Sequence, residues 1–205
     1  MIEAIILAAG ESRRMGRAKA LLSFGSKTAL ALIVDTLNKA GISRIHVVVG
    51  HEAAKIIKES KVKADFVVNK NYKDGQFSSL QSGIASLSPT CPGVVVCLVD
   101  QPHILAEWVR ALLQEADKTA PPIIRPKFGR KTGHPIYYGS MLFAEILAMP
   151  PTATAKALMK KYYDKTAFVE VQSDAIFYDA DTPADYKFLQ RLLKKTASED
   201  LPPEV

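Results

Sequence analysis

Residues 4–22 read AIILAAGESRRMGRAKALL. The run from Ala4 to Ala9 is short, apolar and uninterrupted, the pattern of a strand buried on both faces. Gly10 follows at once, and then Arg13, Arg14, Arg17 and Lys19 crowd into the next stretch. A connection that only had to turn would not need that charge. Successive N–H groups in such a loop form a nest for anions. Arginine offers phosphate a planar fork and lysine a compact point charge, and Ser12 adds a hydroxyl donor. The stretch reads either as a solvated basic connection or as an anion-binding loop at the end of a strand. It is not a Walker A loop, because Gly16 is followed by Arg17-Ala18-Lys19. G-x-G-x-x-G is absent too, so a nicotinamide cofactor has no direct support.

Outward from this stretch the same alternation repeats. Leu30, Ile33, Val34 and Leu37 share one face of a helix that Gly41 ends. Residues 44–50 (RIHVVVG) and 65–69 (DFVVN) read as strands, with a short helix at 53–60 between them. Residues 77–87 are expected to be helical despite Gly83. GVVVCLVD, residues 93–100, is the most hydrophobic strand and is expected near the centre of the sheet. Trp108, Val109, Leu112, Leu113 and Ala116 mark a further helix, with Trp108 in the core. Strands are expected at 122–128 and 135–138 around a glycine-containing turn, helices near 140–148 and 153–162, and a last strand at 168–172. Thr182-Pro183-Ala184-Asp185 is a capping box with proline at the first helical position. The pattern predicts an α/β fold, a Rossmann-like three-layer α/β/α sandwich around a mostly parallel sheet. One domain is expected over residues 1–195, with a loose tail over 196–205. Such sheets take ligands beyond the carboxyl ends of their strands. Three clusters sit there: residues 10–19, residues 69–83, and Asp100 to His103.

With 205 residues, 48% hydrophobic and 23% charged, the chain can bury a core of its own. Its longest apolar runs, such as Val94 to Val99, fall far short of the roughly 18 residues that span a bilayer. Met1-Ile2-Glu3 lacks the basic start of a secretory signal. Cys91 and Cys97 fit neither a disulfide framework nor a metal knuckle, so a reducing, cytoplasmic setting is expected. A net charge of +6 suits a polyphosphate ligand. The lysines are spread along the chain with no block of five, which argues against nucleic acid.

Asp100 ends the most apolar strand, where a carboxylate is costly without a cation or a partner. It reads either as a helix N-cap before Pro102 or as a ligand for Mg²⁺, which takes one or two carboxylates alongside phosphate oxygens. Capping by Thr182 and Asp185 has no need of Asp181. Asp74-Gly75 reads as a turn and Ser78 or Ser79 as a helix N-cap, or the same stretch faces a ligand.

The signature LAAG-x-S-x-RMG-x-x-K resembles the opening of the nucleotidyltransferases that act on sugar phosphates, methylerythritol phosphate and molybdenum cofactor. Asn69, NYKDGQFSSLQSGI (71–84), VDQP (99–102), GHPIYY (133–138) and DADTPADY (179–186) agree in order and spacing. On these the chain resembles the MobA-like nucleotidyltransferases, and among them the molybdenum cofactor cytidylyltransferases, a group that includes accessory proteins of xanthine dehydrogenase. The resemblance implies that Leu7, Ala8 and Ala9 meet the base through their backbone. It implies that Gly10, Ser12, Arg14, Met15 and Gly16 line the β- and γ-phosphates, and that Lys19 reaches the α-phosphate. Asn69, Gly75, Ser79 and Gly83 would contact ribose or base. Asp100 and Asp181 would hold Mg²⁺, with Lys19, Arg14 and Asp100 as the catalytic set. Gly133, His134 and Pro135 would face the pterin substrate, with Arg130 near its phosphate. Guanylyl-transferring relatives carry LAGG where this chain has LAAG, so the resemblance favours CTP over another nucleoside triphosphate. Where the family reads G-D-x-G-A-R, this chain has Pro151-Thr152-Ala153-Thr154-Ala155-Lys156, a departure on the acceptor side.

The expected activity is therefore transfer of CMP from CTP to the phosphate of a molybdopterin-type acceptor. Pyrophosphate leaves, and the product serves a molybdenum hydroxylase reached through a transient complex. The alternatives are GTP or a sugar-1-phosphate acceptor on the same fold, an NADPH-dependent reductase, and a non-catalytic carrier of the cofactor.

Overall fold

A computed structural model of the protein describes residues 1–199. In chain order the strands are β1 (Glu3–Ala8), β2 (Ser23–Phe24), β3 (Lys27–Thr28), β4 (Ile45–Val49), β5 (Asp65–Val68), β6 (Gly93–Leu98), β7 (Ile123–Phe128), β8 (Lys131–Thr132), β9 (Ile136–Gly139) and β10 (Thr166–Glu170). The helices are α1 (Ala29–Lys39), α2 (Ala53–Ser60), α3 (Gln76–Ala85), α4 (Ala106–Thr119), α5 (Phe143–Ala148), α6 (Ala155–Lys161) and α7 (Pro183–Glu199).

The aliphatic runs of β1, β4 and β6 carry no exposed face, so each lies inside the sheet with neighbours on both sides. The order is β10-β7-β9-β6-β1-β4-β5, with β8 paired to the end of β7. β1 runs parallel to β4 and β6, and β4 to β5. β9 is inserted antiparallel between β6 and β7, and β10 returns parallel to β7. β6 is the middle strand of the order, where its hydrophobicity predicts it to be.

Alternate residues along each strand feed two cores, one on each face. Ile6, Val47, Val95 and Ile124 pack with Leu30, Ile33 and Leu37 of α1 and with Trp108 and Leu112 of α4. Ile5, Val48, Val94 and Ile123 pack with Phe77, Leu80 and Ile84 of α3 and with Ile146 and Leu158 of α5 and α6. The result is the three-layer sandwich expected. Gly83 is what lets α3 lie so near β1: a Cβ there would stand 2.8 Å from Ile5 Cδ1. At the amino-terminal end of the strands, buried Glu3 pairs with His46 Nε2 at 2.7 Å, so that charge is settled away from the ligand end. No helix among the described residues is long and apolar enough to cross a membrane.

Several local expectations shift. α3 starts at Gln76 with Gly75 before it, and no side chain caps it. Ser78 instead donates to the carbonyls of Gly75 and Asn71. Asp100 is not a helix cap, because α4 begins at Ala106 behind Leu105. The segment before α5 opens as a 3-10 turn over Ser140–Leu142. β10 sits two residues earlier than its hydrophobic pattern indicates, since pairing with β7 fixes its register. The small β2–β3 hairpin had no sequence signal. α7 runs on to Glu199, so residues 196–199 of the expected tail are helical, and 200–205 lie outside the described residues.

Candidate active site

Ala8 ends β1 on the carboxyl side of the sheet, and the next eleven residues fold over that end. Ser12 takes a positive φ of 51° and Gly16 one of 73°. Ser12 turns the loop inward: its carbonyl accepts from the N–H groups of Met15 and Gly16 at 2.9 and 3.0 Å. Its hydroxyl accepts from the Lys19 N–H at 3.3 Å. Lys19 thereby opens a 3-10 turn with its side chain aimed at the strand ends.

There the Lys19 Nζ donates to Asp100 Oδ2 at 2.9 Å and to Asp181 Oδ1 at 2.5 Å. Arg14 Nη2 donates to the other oxygen of Asp181 at 2.7 Å. Asp100 follows β6, and Asp181 stands just ahead of α7. The Ala180 N–H donates to the Asp100 carbonyl at 2.8 Å, tying the two segments. The capping box holds as the sequence indicates. The Thr182 N–H and hydroxyl both donate to Asp185 Oδ2 at 2.8 Å, and Thr182 Oγ1 accepts from the Asp185 N–H at 3.3 Å.

The electrostatics follow from this geometry. Burial pulls the Lys19 ammonium down, but the two carboxylates more than reverse it, and Lys19 ends above its ordinary range. The hydrogen bond from Lys19, against the opposing cost of burial and with the charges of Lys19 and Arg14, holds Asp181 below its ordinary value. Asp179 is pushed up, by burial and then by the charges of Asp100 and Asp181.

A cleft of about 590 Å³ opens over this floor. Leu7, Ala8, Ala9, Gly10, Ser12, Arg14, Lys19, Gly75, Ser79, Asp100 and Asp181 line it. Eleven of the residues singled out in the sequence, drawn from four segments, thus meet around one cavity. Glu11, Arg13, Tyr72, Lys73 and Gln76 also line it. Sequence reasoning gave none of these a role in the site, although Arg13 belongs to the basic loop, and Tyr72, Lys73 and Gln76 lie inside the stretch 71–84 that carries the resemblance.

The other candidates stand outside the lining. Met15 is buried with Leu22, Phe24, Ala29, Ala180 and Leu189, a plug that fixes the loop to α7. Asn69 lies beneath the cavity wall. Its Nδ2 donates to the hydroxyls of Ser78 and Ser79 at 2.9 and 3.0 Å, and its Oδ1 accepts from the Asn71 N–H. Gly83 packs on Ile5, as above.

Gly133, His134 and Pro135 form the link from β8 to β9, seated against the 174–177 turn. A Cβ on Gly133 would lie 2.3 Å from the Ile176 carbonyl oxygen. His134 is shifted down to about 4 by burial and then by the Arg125 charge. Among the described residues Arg125 has no acidic partner, and its buried Nε has no hydrogen bond. Arg130 is exposed on the β7–β8 turn. His103 is buried and donates from Nε2 to the Ala175 carbonyl at 2.7 Å, which makes it a brace between loops.

Asp100 Oδ1 is buried and has no hydrogen-bond partner among the described residues. A buried carboxylate oxygen left free on Asp100, with the Asp181 carboxylate in the same cleft lining, is a donor set that suits a hard divalent cation. Among the described residues no group of three or more His, Cys, Asp or Glu could hold a metal. The remaining ligands would have to be water or substrate oxygens, the manner in which Mg²⁺ is usually held.

A family model for the MobA-like NTP transferase domain matches residues 4–167. The purine catabolism protein PucB of Bacillus subtilis is 26% identical over 92% of this chain and 96% of its own length. The molybdenum cofactor cytidylyltransferase of Escherichia coli is 25% identical over 90% and 93%. The crystal structure of Rv0371c from Mycobacterium tuberculosis superposes with a TM-score of 0.81 at 25% identity, covering 93% of this chain and 97% of that one. A manganese complex of Rv0371c superposes with a TM-score of 0.75 at 24% identity, covering 93% and 98%.

Proposed function

We propose that this chain, which belongs to the MobA-like NTP transferase domain family and is a nucleotidyltransferase, is a molybdenum cofactor cytidylyltransferase, moving CMP from CTP to the terminal phosphate of a molybdopterin-type acceptor. The observation that carries this reading is Lys19 held between Asp100 and Asp181 at the floor of the cleft. A basic loop facing two carboxylates is the charge pattern needed to bring a triphosphate, a cation and a second phosphate together. The LAAG opening along the cleft supports cytosine, and so does the full-length likeness to a cytidylyltransferase. The likeness to a purine catabolism protein supports delivery of the product to a molybdenum hydroxylase such as xanthine dehydrogenase, through a transient complex. The buried free thiols of Cys91 and Cys97 support a cytoplasmic setting.

In the proposed reaction an oxygen of the acceptor phosphate attacks the α-phosphorus of CTP. A new P–O–P linkage forms as the bond to the β-phosphate breaks, and pyrophosphate leaves. The attacking phosphate is already an anion, so no strong general base is required. The protein's task is to align two anions and neutralise charge. Gly10, Ser12 and Arg14 line the β- and γ-phosphates. Lys19 exchanges a carboxylate for the α-phosphate and stays protonated, as its raised pKa requires. When bound by Asp100 and Asp181, Mg²⁺ supplies further charge neutralisation at the reacting phosphates.

Calorimetry with CTP, GTP and ATP, with and without Mg²⁺, on wild type and Asp100→Ala tests the nucleotide half. CTP preference that depends on Mg²⁺ and is lost in the variant is the expected result. No binding of any triphosphate would remove the transferase reading. Assay of CMP transfer to molybdopterin against a sugar 1-phosphate tests the acceptor.

A further inference from the structure

The cleft accounts for three of the four basic residues in the loop behind β1. Arg13, Arg14 and Lys19 line it, and Arg17 does not. Among the described residues Arg17 has no carboxylate partner. Its guanidinium lies instead over the ring of Tyr186, 5.1 Å from the centroid. We infer that Arg17 and Tyr186 form a latch that holds the phosphate loop in register with α7, and that Tyr186 is a positioning residue for the nucleoside triphosphate. The inference rests on the reading of the cleft as a triphosphate site and gives a role in it to two residues outside its lining.

Tyr186 is fixed from several sides. Its N–H donates to the Thr182 carbonyl at 3.0 Å, closing the first turn of α7. Its hydroxyl donates to the Ser23 carbonyl at 2.5 Å. Its ring and that of Phe24 stand edge-on, with centroids 5.2 Å apart and planes at 88°. Gln190, one helical turn on, donates to the Ser23 carbonyl at 3.0 Å and to the Tyr186 hydroxyl at 2.8 Å. The ring therefore ties α7 to the β2–β3 hairpin, and its face is left for the Arg17 cation.

Asp181 and Tyr186 stand on either side of the capping box, so the box fixes their spacing. The loop meets this segment at three further points. Arg14 bonds Asp181, Met15 packs with Ala180 and Leu189, and Arg17 covers Tyr186. These contacts differ in what a ligand does to them. An entering triphosphate attracts Arg14 and Lys19, and a cation attracts Asp181, so the bonds among those three must exchange. The Arg17 contact lies outside the cleft and has no carboxylate to give up. It persists through the exchange and keeps Gly10, Ser12 and Arg14 facing the incoming phosphates. Gly16, at a φ of 73°, turns the chain between the phosphate-facing part of the loop and the latch. Arg17 thus acts through Tyr186 and not on a phosphate.

The test is a double-mutant cycle read in CTP affinity. Wild type, Arg17→Ala, Tyr186→Leu and the double variant are titrated with CTP and Mg²⁺ by calorimetry. Circular dichroism and thermal unfolding check each fold, and Tyr186→Gln, which keeps a polar tip for Ser23, replaces Tyr186→Leu in the cycle if the latter does not fold. Arg17→Ala is expected to weaken CTP about three- to fivefold, the scale of an exposed cation–π contact. Tyr186→Leu should weaken it about tenfold, because the Ser23 hydrogen bond goes as well. The double variant should be no weaker than Tyr186→Leu alone. Tyr186→Phe keeps the ring and should leave the Arg17→Ala effect undiminished. In the transfer assay KM for CTP should rise with kcat little changed, a split that general loss of packing does not produce. An Arg17→Ala loss that persists in full beside Tyr186→Leu would make Arg17 a direct phosphate ligand and overturn the latch. Single variants that bind CTP as wild type does would overturn it too. Wild type that binds no triphosphate would remove the triphosphate reading and the latch together, whereas CTP binding with additive losses removes only the latch.

Discussion

Lys19 Nζ, from the turn after β1, lies 2.9 Å from Asp100 Oδ2, just past the end of β6, although the two residues are 81 positions apart in the chain. The side chains are only 13% and 21% exposed. The pair is therefore shielded enough to be strong and open enough to exchange partners with a ligand.

Replacing Lys19 by Ala should separate catalysis from folding. Removing one positioned cation from a site of developing phosphate charge costs about 10²–10³ in turnover. The partners are partly solvated, so the loss of stability should stay within about 1 kcal/mol. Steady-state kinetics and urea denaturation on one preparation read both quantities. Unchanged turnover would take Lys19 out of the mechanism.

His134 should make the protein acid-sensitive well above the pH at which its carboxylates fail. Its folded value is about 4 against 6.5 for a free histidine. The unfolded chain therefore gains this proton first as pH falls. The contribution is intact above 6.5 and is lost between 6.5 and 4, by about 2–3 kcal/mol. Asp181 is shifted down, so its stabilisation is present above 3.8 and is lost only as pH falls through its lower folded value. Lys19 is shifted up, so its share is present below 10.5 and is lost as pH rises through its higher folded value. Neither interferes in the histidine window. Denaturant midpoints at pH 7, 5.5 and 4.5 should fall more steeply in wild type than in His134→Gln. Parallel slopes would assign the sensitivity elsewhere, with His103, also shifted down by burial, the next residue to test.

Two glycines of the site should respond in opposite ways to alanine. At Gly133 the new Cβ would stand 2.3 Å from a backbone oxygen, and the overpacking should cost about 2–3 kcal/mol. At Gly10 nothing lies within 4 Å, so stability should hold within about 0.5 kcal/mol, while the methyl group intrudes on the cleft and weakens CTP binding. Thermal denaturation with and without CTP distinguishes the two.

Asn69 should act on nucleotide binding through Ser79, which lines the cleft while Asn69 does not. Asn69→Ala releases both serine hydroxyls and the Asn71 N–H. A stability loss of about 1–3 kcal/mol is expected, together with a rise in KM for CTP of about tenfold and little change in kcat. A fall in kcat with KM unchanged would contradict a positioning role.

Much of the fold was legible because burial writes itself into composition. β1, β4 and β6 are aliphatic on both faces, and only a strand flanked on both sides and covered on both faces can accept that. α1 and α4 carry their apolar stripes openly. β10 was misplaced by two residues because its TAFVE alternates weakly, and its register comes from pairing with β7. The β2–β3 hairpin was invisible because four residues carry no period.

The sequence by itself determined the layered α/β class, the basic loop behind β1, the carboxylate behind β6 and the capping box at α7. Each is a local statement about period, charge or hydrogen-bonding groups within a few residues. Only the tertiary structure decided that Lys19 is shared by Asp100 and Asp181, that Asn69 supports the cleft from beneath, and that Met15 is a core plug. Those relations join residues far apart in the chain, and side chains meet across such distances only where the sheet order and the loop ends bring them together.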